Sequence, residues 1–275
     1  MSCAAPVRTT RAPMHHAVAS AAMTMLAALH VGAGAQTAAG GQLQTITVTA
    51  ERRVENIKDV PSAVSALQGD VLEALGTSGQ DVRALSGRVP SLNIESSFGR
   101  AFPRFYIRGY GNTDFRLNAS QPVSLVYDDV VQENPILKGF PIFDTDRVEV
   151  LRGPQGTLFG RNTPAGVVKF DSIKPTAKRE GYGSFSFGTY GTVNAEGAMN
   201  VPLGAGMAMR LSVLNQVRDN WVKNTYAAGP TQDLEGYRDS AMRGQFLYEA
   251  GKDLSVLANI QIGRASCRER VYSSV

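Results

Sequence analysis

The chain has 275 residues, 43% of them hydrophobic and 19% charged, with 28 Lys and Arg against 24 Asp and Glu. Its histidines (His15, His16, His30) and cysteines (Cys3, Cys267) lie only towards its two ends. The long interior therefore has no residue for Ser-His-Asp or Cys-His catalysis, the common zinc sites or an intrachain disulfide. The net charge of +4 also belongs to the ends: without Arg8, Arg11, Arg264, Arg268, Arg270 and Glu269, 23 basic residues face 23 acidic ones, which removes the support for nucleic-acid binding.

Residues 1–35 read as a signal peptide. Arg8 and Arg11 supply the positive region, Ala17 to Val31 the apolar stretch, and Ala33-Gly34-Ala35 a small-residue cleavage site before Gln36. That stretch is too short and alanine-rich for a spanning helix, and no second apolar run of spanning length follows. Residues 36–56 read as a linker, rich in Gly, Ala and Gln as far as Gln44. Within it Thr45-Ile46-Thr47-Val48-Thr49-Ala50 alternates polar and apolar, and Glu51, Arg52 and Arg53 follow. The alternation fits an ordinary edge strand, yet it stands alone, with charges and a linker where a hairpin partner would be.

Residues 57–175 predict a small α+β domain. Val64, Ala66 and Leu67 read as a strand, and Asp70 to Leu75 as a short helix ended by Gly76. A second helix follows, with Ser78 and Asp81 in capping-box spacing, Val82 and Leu85 inward and Gly87 as terminator. Phe105 to Gly109, Val123 to Tyr127 and Arg147 to Leu151 read as further strands. The carboxylate pairs Asp128-Asp129 and Asp144 with Asp146 fall in turns, where acids are mostly solvated, so a glycosidase-like role is disfavoured.

The organising stretch runs from Asp146 to Val168. Gly153, Gly156, Gly160 and Gly166, with Pro154 and Pro164, predict sharp reversals where the backbone needs φ > 0 or an approach that a side chain would obstruct. Composition alone also allows a Gly/Pro-rich surface loop between two strands. No Lys-Ser or Lys-Thr follows the glycines, so it is not a nucleotide loop. The run LRGPQGTLFGRNTPAGVV closely resembles the signature near the end of the plug domain in TonB-dependent outer-membrane receptors. The segments IRGYG and YDDV support the resemblance, which covers roughly Thr45 to Ile262. One departure is Val167-Val168-Lys169-Phe170-Asp171, where the family usually continues in small and aliphatic residues.

The resemblance implies a role for several residues. Thr45, Ile46, Thr47, Val48, Thr49 and Ala50 look like the TonB box, an extended segment that adds a strand to the energising protein's sheet through its backbone. Arg152 and Arg161, with Glu149, would anchor the plug, the arginines projecting towards acids on the barrel wall because a buried guanidinium needs such partners. Ligand contacts would come from Tyr110, Asn112, Asp114, Phe115 and Arg116 and from the outward loops Gly111–Ser120, Gln132–Phe140 and Asp219–Arg238.

From Gly181 to Ile262 the period is two. Val193, Ala195, Gly197, Met199 and Val201 share one face, as do Met207, Met209, Leu211, Val213 and Val217 after a turn. Met242, Phe246, Tyr248 and Ala250 repeat the pattern, then Leu254, Val256, Ala258, Ile260 and Ile262. A soluble sandwich could alternate in the same way. Short turns at 202–206 and 251–253 against a long connection at 219–238 fit a transmembrane barrel. About five strands cannot close a barrel whose plugged relatives use about 22, so the chain reads as the N-terminal piece of a longer receptor. Residues 263–275 break the pattern and read as a non-native tail.

The expected architecture is thus an α+β plug domain followed by the first strands of a transmembrane antiparallel β-barrel. The expected function is TonB-energised uptake, by an outer-membrane receptor without enzymatic activity, of a scarce ligand such as a ferric siderophore or other iron complex. Its partners would be TonB, the small-molecule ligand and outer-membrane lipid, with no cofactor or resident metal, in a monomer. A passive porin or adhesin is the alternative, though a porin needs neither box nor plug.

Overall fold

The structure, a computed structural model, describes residues 46–114, 116, 118–225, 233–251 and 254–267. The expected signal peptide, residues 36–44, Thr45 and Phe115 lie outside the described residues.

The first layer of the fold is a mixed sheet. Its strands are β3 (Ala63–Gln68), β6 (Val123–Tyr127), β7 (Val130–Gln132), β8 (Thr145–Arg152) and β9 (Gly166–Ser172), in the order β3-β8-β9-β6-β7. Only β6 and β9 pair in parallel. β9 is buried along its whole length, because both faces of the sheet are covered. One face packs on helix α1 (Asp70–Thr77), the 3₁₀ turn Val82–Gly87 and the hairpin of β4 (Leu92–Glu95) with β5 (Arg104–Ile107). Leu72, Leu85, Ile94, Phe105, Val148, Val168 and Phe170 belong to that core. The other face buries Leu151, Val167 and Val126 under Val48, Ala50, Val60 and Phe159. The segment 46–56 is therefore part of the domain. It forms β1 (Thr47–Val48), paired antiparallel with β2 (Glu55–Asn56), and the partner that the linker reading lacked is this two-residue strand.

The helices differ in detail from their sequence signals. α1 continues through Gly76, and Ser78 Oγ closes it by donating to Leu75 O at 3.0 Å. Asp81 caps the following turn, its carboxylate accepting from Arg83 N at 3.0 Å. Ser78 thus finishes one helix and Asp81 starts the next, instead of both framing a single capping box.

A second sheet follows, built from β10 (Glu180–Gly188), β11 (Thr192–Gly204), β12 (Met207–Arg218), β15 (Tyr237–Glu249) and β16 (Ser255–Cys267), each antiparallel to the next. These strands have 9 to 13 residues, near the roughly 9–11 that a tilted strand needs to cross a bilayer. The connection after β12 carries a small hairpin of β13 (Val222–Lys223) and β14 (Asp233–Leu234). Two boundaries shift: β15 begins at Tyr237, and β16 runs past Ile262 to Cys267 opposite Tyr237. Backbone pairing accounts for the second shift, since a long neighbouring strand offers hydrogen bonds whatever side chains the sequence carries.

Burial in this second sheet is inverted. The apolar set faces out, with Met199, Leu211, Val213, Met242 and Ile260 exposed, while Arg210, Ser212, Gln216, Asp239, Arg243 and Gln245 are buried against the first domain. A soluble sandwich would bury the apolar set. This wall suits lipid outside and a polar filling inside.

Candidate functional site

The signature stretch was expected to supply reversals and anchors. Gly166 meets both structural demands, with φ 148° and an added Cβ only 2.2 Å from Leu151 O. Gly153 and Gly160 have φ of 104° and 79° but open space around them, so conformation and not obstruction selects glycine there. Gly156 needs neither: it opens helix α2 (Gly156–Phe159), and a Cβ would sit 3.8 Å from Thr163 Oγ1.

The arginines point elsewhere than the sequence reading expected. Arg152 donates from Nη2 to Ser65 Oγ at 2.7 Å and from Nη1 to Pro90 O at 3.3 Å, both within the first domain. Arg161 is exposed and pairs with Glu133 at 2.9 Å, which holds the Glu133 carboxyl below its usual range. Glu149, fully buried, turns towards Thr49 and not the wall. Each has a nearer partner within the domain, on a neighbouring strand or loop.

The contacts with the wall come from residues read as solvated or not singled out. Asp144 takes a two-pronged bond from Arg210 of β12, Nε to Oδ2 at 2.8 Å and Nη2 to Oδ1 at 2.6 Å, and Ser212 Oγ donates to it as well. Neither Asp144 nor Arg210 has a side chain more than 3% exposed. Arg243 of β15 donates to Phe143 O at 2.8 Å, to Asp144 O at 3.2 Å and to the Tyr127 hydroxyl at 2.7 Å. Further along, Arg100 pairs with Asp239 at 2.6 Å and its Cζ sits over the Tyr237 ring, 3.3 Å from the centroid. The polarity is reversed from the expectation: around Asp144 the domain supplies the acid and the wall the arginines. Arg210 and Arg243 alternate with exposed apolar neighbours on their strands, and a cation inside such an alternation is the signal that sequence reading could have used.

A polar inner face held by buried ion pairs, behind an apolar outer face, decides the architecture. Residues 56–167 match the family described as TonB-dependent Receptor Plug Domain. The chain carries a TonB-dependent receptor plug domain. Its remaining strands are arranged as the first strands of an antiparallel barrel. The pesticin receptor of Yersinia pestis is 28% identical over 200 residues, 71% of this chain and 28% of that receptor. The crystal structure of the ferric yersiniabactin uptake receptor FyuA from Yersinia pestis superposes with a TM-score of 0.60 and 24% identity, over 68% of this chain and 28% of the other. The pyoverdine outer membrane receptor FpvA from Pseudomonas aeruginosa PAO1 has the same fold, with a TM-score of 0.62 and 15% identity over 80% of this chain and 30% of the other. The chain thus spans less than a third of the length of these relatives.

The segment expected as TonB box lies on the plug sheet. Ile46 is exposed, but Val48 and Ala50 are fully buried. Thr49 N donates to Glu149 Oε1 at 2.6 Å, and Lys169 Nζ reaches Thr49 Oγ1 at 2.7 Å and Asp171 at 2.7 and 2.8 Å. Burial raises the Glu149 carboxyl above its usual range, opposed by the Thr49 N–H and the Lys169 charge. Lys169, the departure from the family pattern, is itself only 3% exposed. It is tolerated inside β9 because Asp171 and Thr49 satisfy its ammonium.

The expected ligand residues divide. Tyr110 and Arg116 face solvent. Asn112 and Asp114 serve their own loop, Asn112 Oδ1 accepting from Asp114 N at 2.9 Å and Asp114 Oδ1 from Arg116 N at 3.0 Å. Such turn-forming bonds are what short polar side chains do in loops. The sequence reading also passed over Arg218, whose guanidinium lies 5.6 Å from the Tyr190 ring and 5.3 Å from that of Trp221. It borders a cavity of about 340 Å³ at the long-connection end of the wall, shared with Arg83, Arg100 and Tyr237. The chain's single tryptophan, in a stretch otherwise read as a polar loop, marked the place.

Proposed function

We propose that this chain belongs to an outer-membrane receptor that imports a scarce ligand with energy supplied through TonB, and that the ligand is a ferric siderophore or similar iron chelate. The observation that carries the reading is a β-forming segment ahead of a plug, which is itself held by buried ion pairs to a sheet whose apolar side chains are exposed. A passive channel or an adhesin has no use for such a segment. Yersiniabactin and pyoverdine, named for two of the structural relatives, support the ligand class. In this reading the plug fills the barrel lumen, its β1 side faces the periplasm, and the long-connection end of the wall faces outside. Chemistry on the ligand is not part of the function.

Ile46→Pro tests the coupling. Ile46 is exposed, and its carbonyl, which accepts from Ile57 N at 3.0 Å, is kept by proline. The substitution removes one N–H that an added strand would use. In a complete receptor carrying this chain, Ile46→Pro should cut energised uptake at least tenfold and leave ligand binding at the cell surface unchanged. Unchanged uptake would favour the passive channel or adhesin.

A further inference from the structure

The backbone of β1 is already committed. Thr47 O accepts from Gln68 Nε2 at 2.9 Å and from Arg147 Nη1 at 3.3 Å, while Thr49 N is given to Glu149. Thr47 and Val48 pair with Asn56 and Glu55, Ile46 O accepts from Ile57 N, and Thr49 O from Arg52 N. Strand addition needs a run of free N–H and C=O groups along one edge. In this arrangement segment 46–50 offers no such run.

What holds it there is concentrated at one residue. Thr49 bonds to Glu149 through both its N–H and its hydroxyl, at 2.6 and 3.2 Å, and its hydroxyl also meets Asp171 at 3.0 Å and Lys169 at 2.7 Å. Glu149 and Lys169 face each other across β8 and β9. The second oxygen of Glu149, Oε2, is buried and has no hydrogen-bond partner among the described residues, so Thr49 is what satisfies this carboxylate there. Charged groups this deeply placed bind a polar partner more strongly than the same groups in water would. The two strands that carry them are also those joined by the signature loop from Gly153 to Ala165.

We propose that Glu149, Lys169 and Asp171 form a charged clasp on Thr49, which keeps segment 46–50 folded onto the plug and closed to strand addition until the clasp opens. They act as positioning residues for the coupling segment. The proposal rests on the reading of that segment as the site where TonB pairs. It predicts that the strength of the clasp sets how often the segment leaves the plug, with no need for the plug core to unfold.

Cysteine reactivity tests this in a complete receptor carrying the chain, with Cys267 replaced by serine. Val48→Cys reports on the segment, and Val150→Cys, in the core beneath the other face of the sheet, reports on the plug. Thr49→Val keeps the shape and the N–H but removes the hydroxyl, and Lys169→Met removes the ammonium and keeps the stem. Each should raise the reaction rate of a water-soluble maleimide at position 48 at least tenfold and leave position 150 unchanged. An unchanged rate at 48 would overturn the clasp, as would an equal rise at both positions, which would mean general loosening. No uptake or partner is needed for this readout. A clasp that opens as expected, in a receptor indifferent to Ile46→Pro, would stand while the TonB reading failed.

Discussion

Gly166→Val is expected to prevent the plug from folding. Gly166 has φ 148°, a conformation that side chains strain, and its added Cβ would lie 2.2 Å from Leu151 O and 2.8 Å from Ile107 Cδ1. The carbonyl cannot step aside, because Leu151 is paired with Val167 in the middle of the sheet and also with Val64. Strain combined with an immovable backbone clash belongs to the severe end of single substitutions, about 4 kcal/mol or more. Domains of this size have about 5–15 kcal/mol in all. Residues 46–175 bearing Gly166→Val should therefore show no cooperative urea transition by circular dichroism, or one shifted far down. Gly156→Ala in the same domain should stay within about 1 kcal/mol of the parent, since its site is open and helical. A Gly166→Val domain as stable as the parent would show that the sheet tolerates a side chain at its tightest point.

Asp144→Asn should detach the plug from the wall. Asp144 sits at φ 47°, which asparagine also accepts, so the substitution removes charge with little backbone cost. It breaks the ion pair of Arg210, 3% exposed, a loss of about 3–5 kcal/mol for a broken buried pair. In a complete receptor the plug should become sensitive to protease and leak antibiotics. Adding Arg210→Met should recover most of the loss, because it withdraws the stranded cation. The isolated plug should scarcely notice Asp144→Asn, since its ionic partners lie on the wall. If the isolated plug loses as much stability as the assembled receptor, Asp144 is an internal structural residue instead.

Much of the fold was legible because local signals agreed with the tertiary ones. The strand at Val123–Tyr127 and the alternation from Val193 to Ile262 each follow from a period that the chain states outright. The site was less legible, for a physical reason. A buried charge is specified by a partner far away in sequence, and nothing local to Asp144 announces Arg210, 66 residues on. Asp144 beside Asp146 has the composition of a solvated turn, and only the approach of β12 makes one of them structural. Arg152 and Arg161 illustrate the reverse case, in which a glycine-rich stretch suggested distant partners and Ser65 and Glu133 proved closer. Thr45–Ala50 was read as free because its partner strand has only two residues, too few to leave a periodic trace.

The central claim of the proposed function is that β10, β11, β12, β15 and β16 turn their apolar face to lipid and their polar face to the plug. Nitroxide scanning along β12, Met207 to Arg218, in outer membranes tests it most directly. The account predicts a period of two in collision with oxygen, high at Met209, Leu211 and Val213 and low at Ala208, Ser212 and Leu214, with little access at the high positions for a water-soluble nickel chelate. High nickel access at Met209, Leu211 and Val213 would contradict it, because those side chains would then face water.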